Sequence, residues 1–329
     1  MPSLPKRFFY PVADAALGAY GKARARKYDP KSTIVVASSG RGGSTWLAEI
    51  VAALPGRMML WEPLHLKNNP NCTRHGFTWQ NYVRPGAEAV ERGDYLARLF
   101  RGQELSTRTL TSLHLRAAQF VEHRGYVVKF VNANMMLYWM LQQFPLRTVL
   151  MVRHPCAVVA SQLSHGAWKE LTKEQCTIPP GLMKDYPHFG DVFARISEPE
   201  EVLTFEWAMQ THVPLSQPEP HPWFVTTYET LVERGRSEIE RLFAYLEEEV
   251  PAAAYARLEV ASATTAEKSN IATGRNPLTG WRERLTAKQI DNVLRVCRDM
   301  GIDYYSDELL PDYACLPGYA PSHFHMASS

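Results

Sequence analysis

Apolar residues along this chain fall into short runs that switch between two periods. "STIVVAS" (32–38) is brief, β-branched and followed by serine and glycine, the pattern of a buried strand. "STWLAEIVAAL" (44–54) repeats apolar residues at helical spacing and stops at Pro55 and Gly56, and "RMMLWEP" (57–63) predicts a second strand. The helical pattern from about Tyr95 to Arg124 predicts one long helix closed by Gly125. Alternation then becomes regular. "YVVKFV" (126–131) is a strand, "NMMLYWMLQQF" (134–144) a helix, "RTVLMVR" (147–153) a strand, and "PCAVVASQL" (155–163) a helix opened by proline. "WFVTTY" (223–228) and "ETLVERGRSEIERLFAYL" (229–246) repeat the strand–helix pair.

Strands separated by helices predict an α/β fold, a parallel sheet with right-handed crossovers and both faces covered. In such sheets ligands bind beyond the carboxyl ends of the strands. The glycines after residue 38, Arg153 and Tyr228 all fall at such ends. A helix from about Ala13 to Lys27 makes residues 1–30 an N-terminal arm, with the main domain at 31–310. The stretch 166–199 and the tail 311–329 are expected to be irregular.

Bulk properties narrow the classes. The 329 residues are 45% hydrophobic, enough for a full core, and 36 basic against 34 acidic residues leave a net charge of +2. That balance argues against a nucleic-acid binder. Five scattered cysteines without CxxC spacing indicate neither a disulfide framework nor a zinc site, so a reducing, cytoplasmic setting is expected. No apolar run approaches the roughly 18 residues of a membrane span, and the first thirty residues lack the apolar segment of a signal peptide.

The chemistry concentrates in "SSGRGGSTWLAEI" (38–50). A glycine-rich strand-to-helix turn leaves backbone N–H groups pointing outward, and the helix dipole adds positive character. Gly42 and Gly43 allow close approach of an anion, Ser44 and Thr45 add hydroxyls, and Arg41 adds a permanent cation. The nucleoside-triphosphate signature GxxxxGK[ST] is absent. A second segment, "RTVLMVRHPCAVVASQLS" (147–164), ends a strand in Arg153 and places Ser161 eight residues later, two turns into a helix. Both are suited to a second anion beside the first.

Together the two segments resemble the sulfotransferases that use 3′-phosphoadenosine 5′-phosphosulfate (PAPS). "RGGSTWLAEI" is similar to that family's 5′-phosphate loop and "VRHPCAVVASQL" to its 3′-phosphate segment, in the same order. "WEPLH" (61–65) resembles a stretch of the carbohydrate-type members. "YETL" (228–231) resembles a tyrosine motif near the adenine, and "GWRERLT" (280–286) a C-terminal segment near the 3′-phosphate. His154 stands where the family usually has Asp or Asn.

The resemblance implies a P-loop-like three-layer fold and transfer of a sulfuryl group from PAPS to a hydroxyl or amine, with PAP as product and no metal required. Carried over, Arg41, Gly42, Gly43, Ser44 and Thr45 bind the 5′-phosphate, and Trp46 and Tyr228 flank the base. Arg153 and Ser161 bind the 3′-phosphate, with Arg275 a further candidate. Cytosolic members place a histidine base two residues after a lysine. Here Lys129 is followed at that spacing by Val131, and the resemblance instead implies Glu62, which matches the glutamate base of carbohydrate-type and bacterial members, with partial burial near Trp61 and Pro63 expected to raise its pKa. His65 is the reserve base, and Lys129 a candidate to assist the leaving group. The acceptor, a small molecule or carbohydrate, is expected between residues 66–112 and 166–200, among Phe77, Trp79, Tyr82, Trp168, Tyr186 and Phe189. A P-loop kinase-like phosphotransferase and a non-catalytic nucleotide-binding module are the competing readings.

Overall fold

The computed structural model describes residues 6–25, 29–110, 117–168, 171–260 and 276–319. Five strands form one parallel sheet: β1 (Ile34–Ser38), β2 (Arg57–Trp61), β3 (Gly125–Phe130), β4 (Arg147–Val152) and β5 (Phe224–Thr227), in the order β2-β3-β1-β4-β5. The helices are α1 (Lys6–Ala25), α2 (Ser44–Val51), α3 (Val90–Phe100), α4 (Ala117–Val121), α5 (Leu137–Gln143) and α6 (Pro155–Leu163). They continue with α7 (Leu182–Asp185), α8 (Pro187–Arg195), α9 (Pro199–Leu215), α10 (Tyr228–Tyr245), α11 (Ala252–Leu258) and α12 (Ala287–Asp299).

Every residue of β1 is buried, as a central parallel strand requires. Its side chains divide between the two faces: Val35 and Ala37 join one core, Ile34 and Val36 the other. α6, α9 and α12 pack together over the first core, while α2, α10 and α11 cover the second. The result is the three-layer α/β architecture that the alternation predicts.

Register decides what meets at the carboxyl edge. Ser38 lies opposite Met151, Trp61 opposite Lys129, and Val152 opposite Thr227. The turn after β1, the Arg153 turn after β4, Tyr228 after β5 and Glu62 after β2 therefore emerge side by side.

Three expectations need correction. The single helix over 95–124 is not formed: α3 ends at Phe100, and Gly102 turns away with φ 71°. A Cβ there would lie 1.9 Å from the Tyr126 hydroxyl, so this left-handed helix stop is available to glycine alone. The stretch 166–199 is not irregular throughout, because α7 and α8 lie within it and bury Leu182, Phe189 and Val192. The N-terminal helix starts earlier than Ala13, at Lys6. α9 and α12 are helices that the sequence expectations do not include.

Candidate active site

The first cradle is built by backbone conformation. Arg41 has φ 72° and Gly43 φ 97°, and the N–H of Gly42 returns to the carbonyl of Ser39 at 2.9 Å. A Cβ on Gly42 would sit 2.1 Å from Ser38 Oγ, and one on Gly43 2.7 Å from the Tyr228 ring. Gly43 caps α2 without a side-chain hydrogen bond, so the first amides of that helix stay open toward the cavity lined by Gly43, Ser44, Thr45 and Trp46.

Arg153 joins this cradle from β4. Its guanidinium donates to the carbonyl of Arg41 at 3.2 Å and lies 3.9 Å over the Tyr228 ring. Its Nε is buried without a hydrogen-bond partner among the described residues. Arg41 Nε donates to Ser161 Oγ at 3.0 Å, and Gln162 ties α6 to the loop by donating to the Gly40 carbonyl at 3.0 Å. Trp46 packs 5.6 Å from Tyr228 and donates its indole N–H to the Arg257 carbonyl at 2.9 Å. The two sequence motifs thus occupy one site.

A third guanidinium belongs to it. Arg284 lines the same cavity and is held from behind, its Nε donating to the Gly280 carbonyl at 2.8 Å. Burial and the neighbouring Arg153 lower the Arg284 pKa, and burial, Arg153 and Arg284 lower that of Arg41. Among the described residues no carboxylate forms an ion pair with any of the three. Three cations converge with an orphaned buried N–H and a glycine turn that a Cβ would obstruct, which fits a ligand with more than one anionic group. Arg275 lies outside the described residues.

Across the loop, Glu62 follows β2 with φ 42°. Among the described residues only three non-glycine positions have positive φ, and two of them, Arg41 and Glu62, line this cavity. Lys129, fully buried at the end of β3, donates to the Glu62 carboxylate and lies 4.3 Å over the Trp61 ring. Burial lowers the Lys129 pKa, and Glu62 partly opposes the shift. The surroundings of Glu62 therefore include an ammonium partner as well as the apolar neighbours expected. His65 faces the cavity with its ring 4.9 Å from Trp79.

The cavity, about 1470 Å³, continues past Glu62 into a different environment. Its lining there includes Trp79, Trp207, Glu206, Gln80 and Gln210, while Trp168 also reaches the turn after β1, its ring 2.9 Å from where a Cβ on Gly40 would lie. Gln210 donates to Gln80 at 2.8 Å. Burial pushes the Glu206 carboxyl up to about 7, against hydrogen bonds from Cys176, the Thr177 N–H and Gln80. Of the six aromatics expected at the acceptor, Trp79 and Trp168 line the cavity. Phe77, Tyr82 and Phe189 are buried in the core and Tyr186 stacks on Phe189, because the strand-end opening lies elsewhere. Arg284, Glu206 and Gln210 were not singled out from the sequence. The segment "GWRERLT" marked the neighbourhood of the first, while nothing local marks the others.

His154 departs from the family's usual residue, and its contacts give a reason. It caps α6, its Nδ1 accepting the N–H of Cys156 at 3.2 Å, a cap that Asp or Asn also makes.

The sequence matches the sulfotransferase domain family model over residues 31–305. No sequence match is found among curated proteins. Among solved structures, the chain is similar to the sulfotransferase domain of the Synechococcus PCC 7002 olefin synthase, at 16% identity and TM-score 0.44, covering 82% of this chain and 94% of that one. A mouse sulfotransferase complexed with PAP shows 13% identity and TM-score 0.43 over 88% of this chain and 90% of that one. A sulfotransferase from Alicyclobacillus acidocaldarius shows 16% identity and TM-score 0.38 over 84% and 97%.

Proposed function

The chain belongs to the sulfotransferase domain family and is a transferase, and from that premise we propose that it moves a sulfuryl group from PAPS to a hydroxyl or amine of a small-molecule or carbohydrate acceptor. The observation that carries the reading is the contact of Arg153 with the Arg41 carbonyl, which fuses the two anion cradles into one site.

When bound, PAPS supplies an activated sulfuryl group for in-line attack by the acceptor oxygen or nitrogen. The open amides of Gly43 to Thr45 and the Arg41 guanidinium hold the 5′-phosphate. They also offset the negative charge that grows on the departing oxygen. Arg153, Ser161 and Arg284 hold the 3′-phosphate, and Trp46 with Tyr228 flanks the base. Glu62 accepts the proton of the acceptor, and Lys129 orients that carboxylate while keeping positive charge near the reaction centre. Glu206, Gln80 and Gln210 bind polar groups of the acceptor between the indoles. Residues 31–310 carry all of this, with 1–30 an accessory arm and 311–329 a tail.

Incubation of the protein with sulfur-labelled PAPS and a panel of sugars, phenols and amines tests the activity. Label transferred to an acceptor supports it; hydrolysis at the background rate with every acceptor class opposes it.

A further inference from the structure

The anion site is assembled from two separate parts of the chain. Arg41 and Arg153 come from turns at the sheet edge and Ser161 from α6, whereas Arg284 comes from the C-terminal segment between Gly280 and the start of α12. α12 fixes one end of that segment, since Thr286 and Gln289 form a reciprocal cap. Trp281 and Leu285 anchor the segment in the core, and one buried polar side chain ties it to the Arg153 turn.

His154 is 1% exposed and touches every relevant piece. Its backbone N–H donates to Glu229 at 2.9 Å, fixing the residue after Arg153 to α10. Because Nδ1 accepts the N–H of Cys156, the ring proton must sit on Nε2. Nε2 lies 3.0 Å from both the Ser306 and Glu308 carbonyls, so it donates to a bend beyond α12. One face of the imidazole stacks on Trp281 at 4.7 Å and 17°, and Tyr305 meets it edge-on at 5.1 Å. Arg282 donates to the Asp307 carbonyl, joining the two C-terminal stretches to each other. Trp281 in turn accepts the Arg284 N–H at its carbonyl, 3.1 Å away, so the arginine is three residues from the stack.

We propose that His154 is a positioning residue for donor recognition: its neutral imidazole latches the Arg284-bearing segment to the Arg153 turn and so completes the 3′-phosphate site. Burial supports this role by depressing the imidazole pKa to about 4, which keeps the ring neutral and one nitrogen free to accept. The helix cap alone requires only Nδ1; the bond to Ser306 and Glu308 and the stack on Trp281 are what reach Arg284. The inference rests on the PAPS reading, and its test separates the two.

Calorimetry on the whole chain compares adenosine 3′,5′-bisphosphate with adenosine 5′-monophosphate. A parent protein that binds both equally overturns the donor reading itself. With that preference established, two variants divide the functions of the ring. His154→Asn keeps the short acceptor that caps α6 but cannot reach the carbonyls; His154→Gln reaches them but cannot cap. The latch requires bisphosphate affinity to fall about tenfold in His154→Asn, with monophosphate affinity within about twofold of the parent, and to survive in His154→Gln. The reverse order overturns it. In an Arg284→Gln background the Asn substitution should cost nothing more, and an undiminished further loss counts against the latch. Should His154→Asn not fold, the parent still decides: bisphosphate must slow amide exchange at Ser306–Glu308 and monophosphate must not, by reciprocity of coupling. No slowing with bisphosphate overturns the proposal.

Discussion

The two ends of the cavity are built in opposite ways. At the proposed donor end, Arg41 and Arg153 come from turns that leave neighbouring strands and Arg284 joins them from the C-terminal segment, and the recognising elements are backbone amides and fixed guanidinium charges. At the acceptor end, the polar groups are Gln80, Glu206 and Gln210, set among indoles, and two of the three sit on α9. The donor end carries repelling cations with no carboxylate ion-paired to them among the described residues. The proposed acceptor end carries a half-buried carboxyl whose perturbing neighbours are neutral. A phosphate has one shape wherever it occurs, so a turn of fixed geometry suffices; an acceptor surface must vary with its substrate and draws on scattered helix side chains.

The comparison breaks most visibly at the junction of the two ends. Glu62→Gln is expected to slow transfer by about 10²- to 10⁴-fold, the usual contribution of a general base, while bisphosphate affinity stays within about twofold. Rate assays paired with calorimetry check this, and a variant as active as the parent removes Glu62 from the proton's path. Arg153→Ala belongs to the donor end alone. Loss of charge-assisted bonds of about 1.5–3 kcal/mol should weaken the bisphosphate about 10- to 100-fold and leave the monophosphate nearly unchanged. Equal weakening of both would place Arg153 at the wrong phosphate.

Gly43→Ala probes the donor end through stability. The left-handed φ and the Tyr228 ring 2.7 Å from the added methyl should cost roughly 1–3 kcal/mol, measured as a fall in the urea midpoint. An unchanged midpoint would mean that the turn is not under this constraint.

The remaining effect, of similar size but visible only as a pH dependence, is sought at the proposed acceptor end. Burial raises the Glu206 pKa from the ordinary 4.5 to about 7, so the folded state holds its proton more tightly. That contribution to stability is fully present below about pH 4.5 and is lost as pH rises through 7. Gln carries no such dependence. The stability of Glu206→Gln relative to the parent should therefore increase between pH 5 and pH 8, by on the order of 1–3 kcal/mol. A difference that stays flat across this range contradicts a raised Glu206 pKa. In assays the same variant should raise acceptor KM several-fold without altering bisphosphate affinity.

The sheet and the donor end were legible because their signals are local. A β-branched run, a glycine turn and a helix opened by proline each lie within about ten residues, and parallel register then brings Arg41 and Arg153 together. Glu206 and Gln210 were not legible. Nearly every residue of α9 is buried, so the helix shows no polar stripe from which a cavity-facing pair would stand out. Arg284 is an intermediate case, since "GWRERLT" points to its neighbourhood, but Glu283 and Arg284 both line the cavity and spacing alone does not tell their roles apart. The failed long helix had a visible cause, Gly102, which lies inside an otherwise helical pattern and needs a conformation that helices exclude.

The central claim, one site for two phosphates on one nucleoside, is tested most directly by ligand-dependent unfolding of the parent protein. Adenosine 3′,5′-bisphosphate at a hundredfold excess over its Kd should stabilise the fold by about 2.7 kcal/mol. At the same concentration, ADP with Mg²⁺ should stabilise it much less. Equal stabilisation by the two, or a preference for ADP with Mg²⁺, would contradict the account.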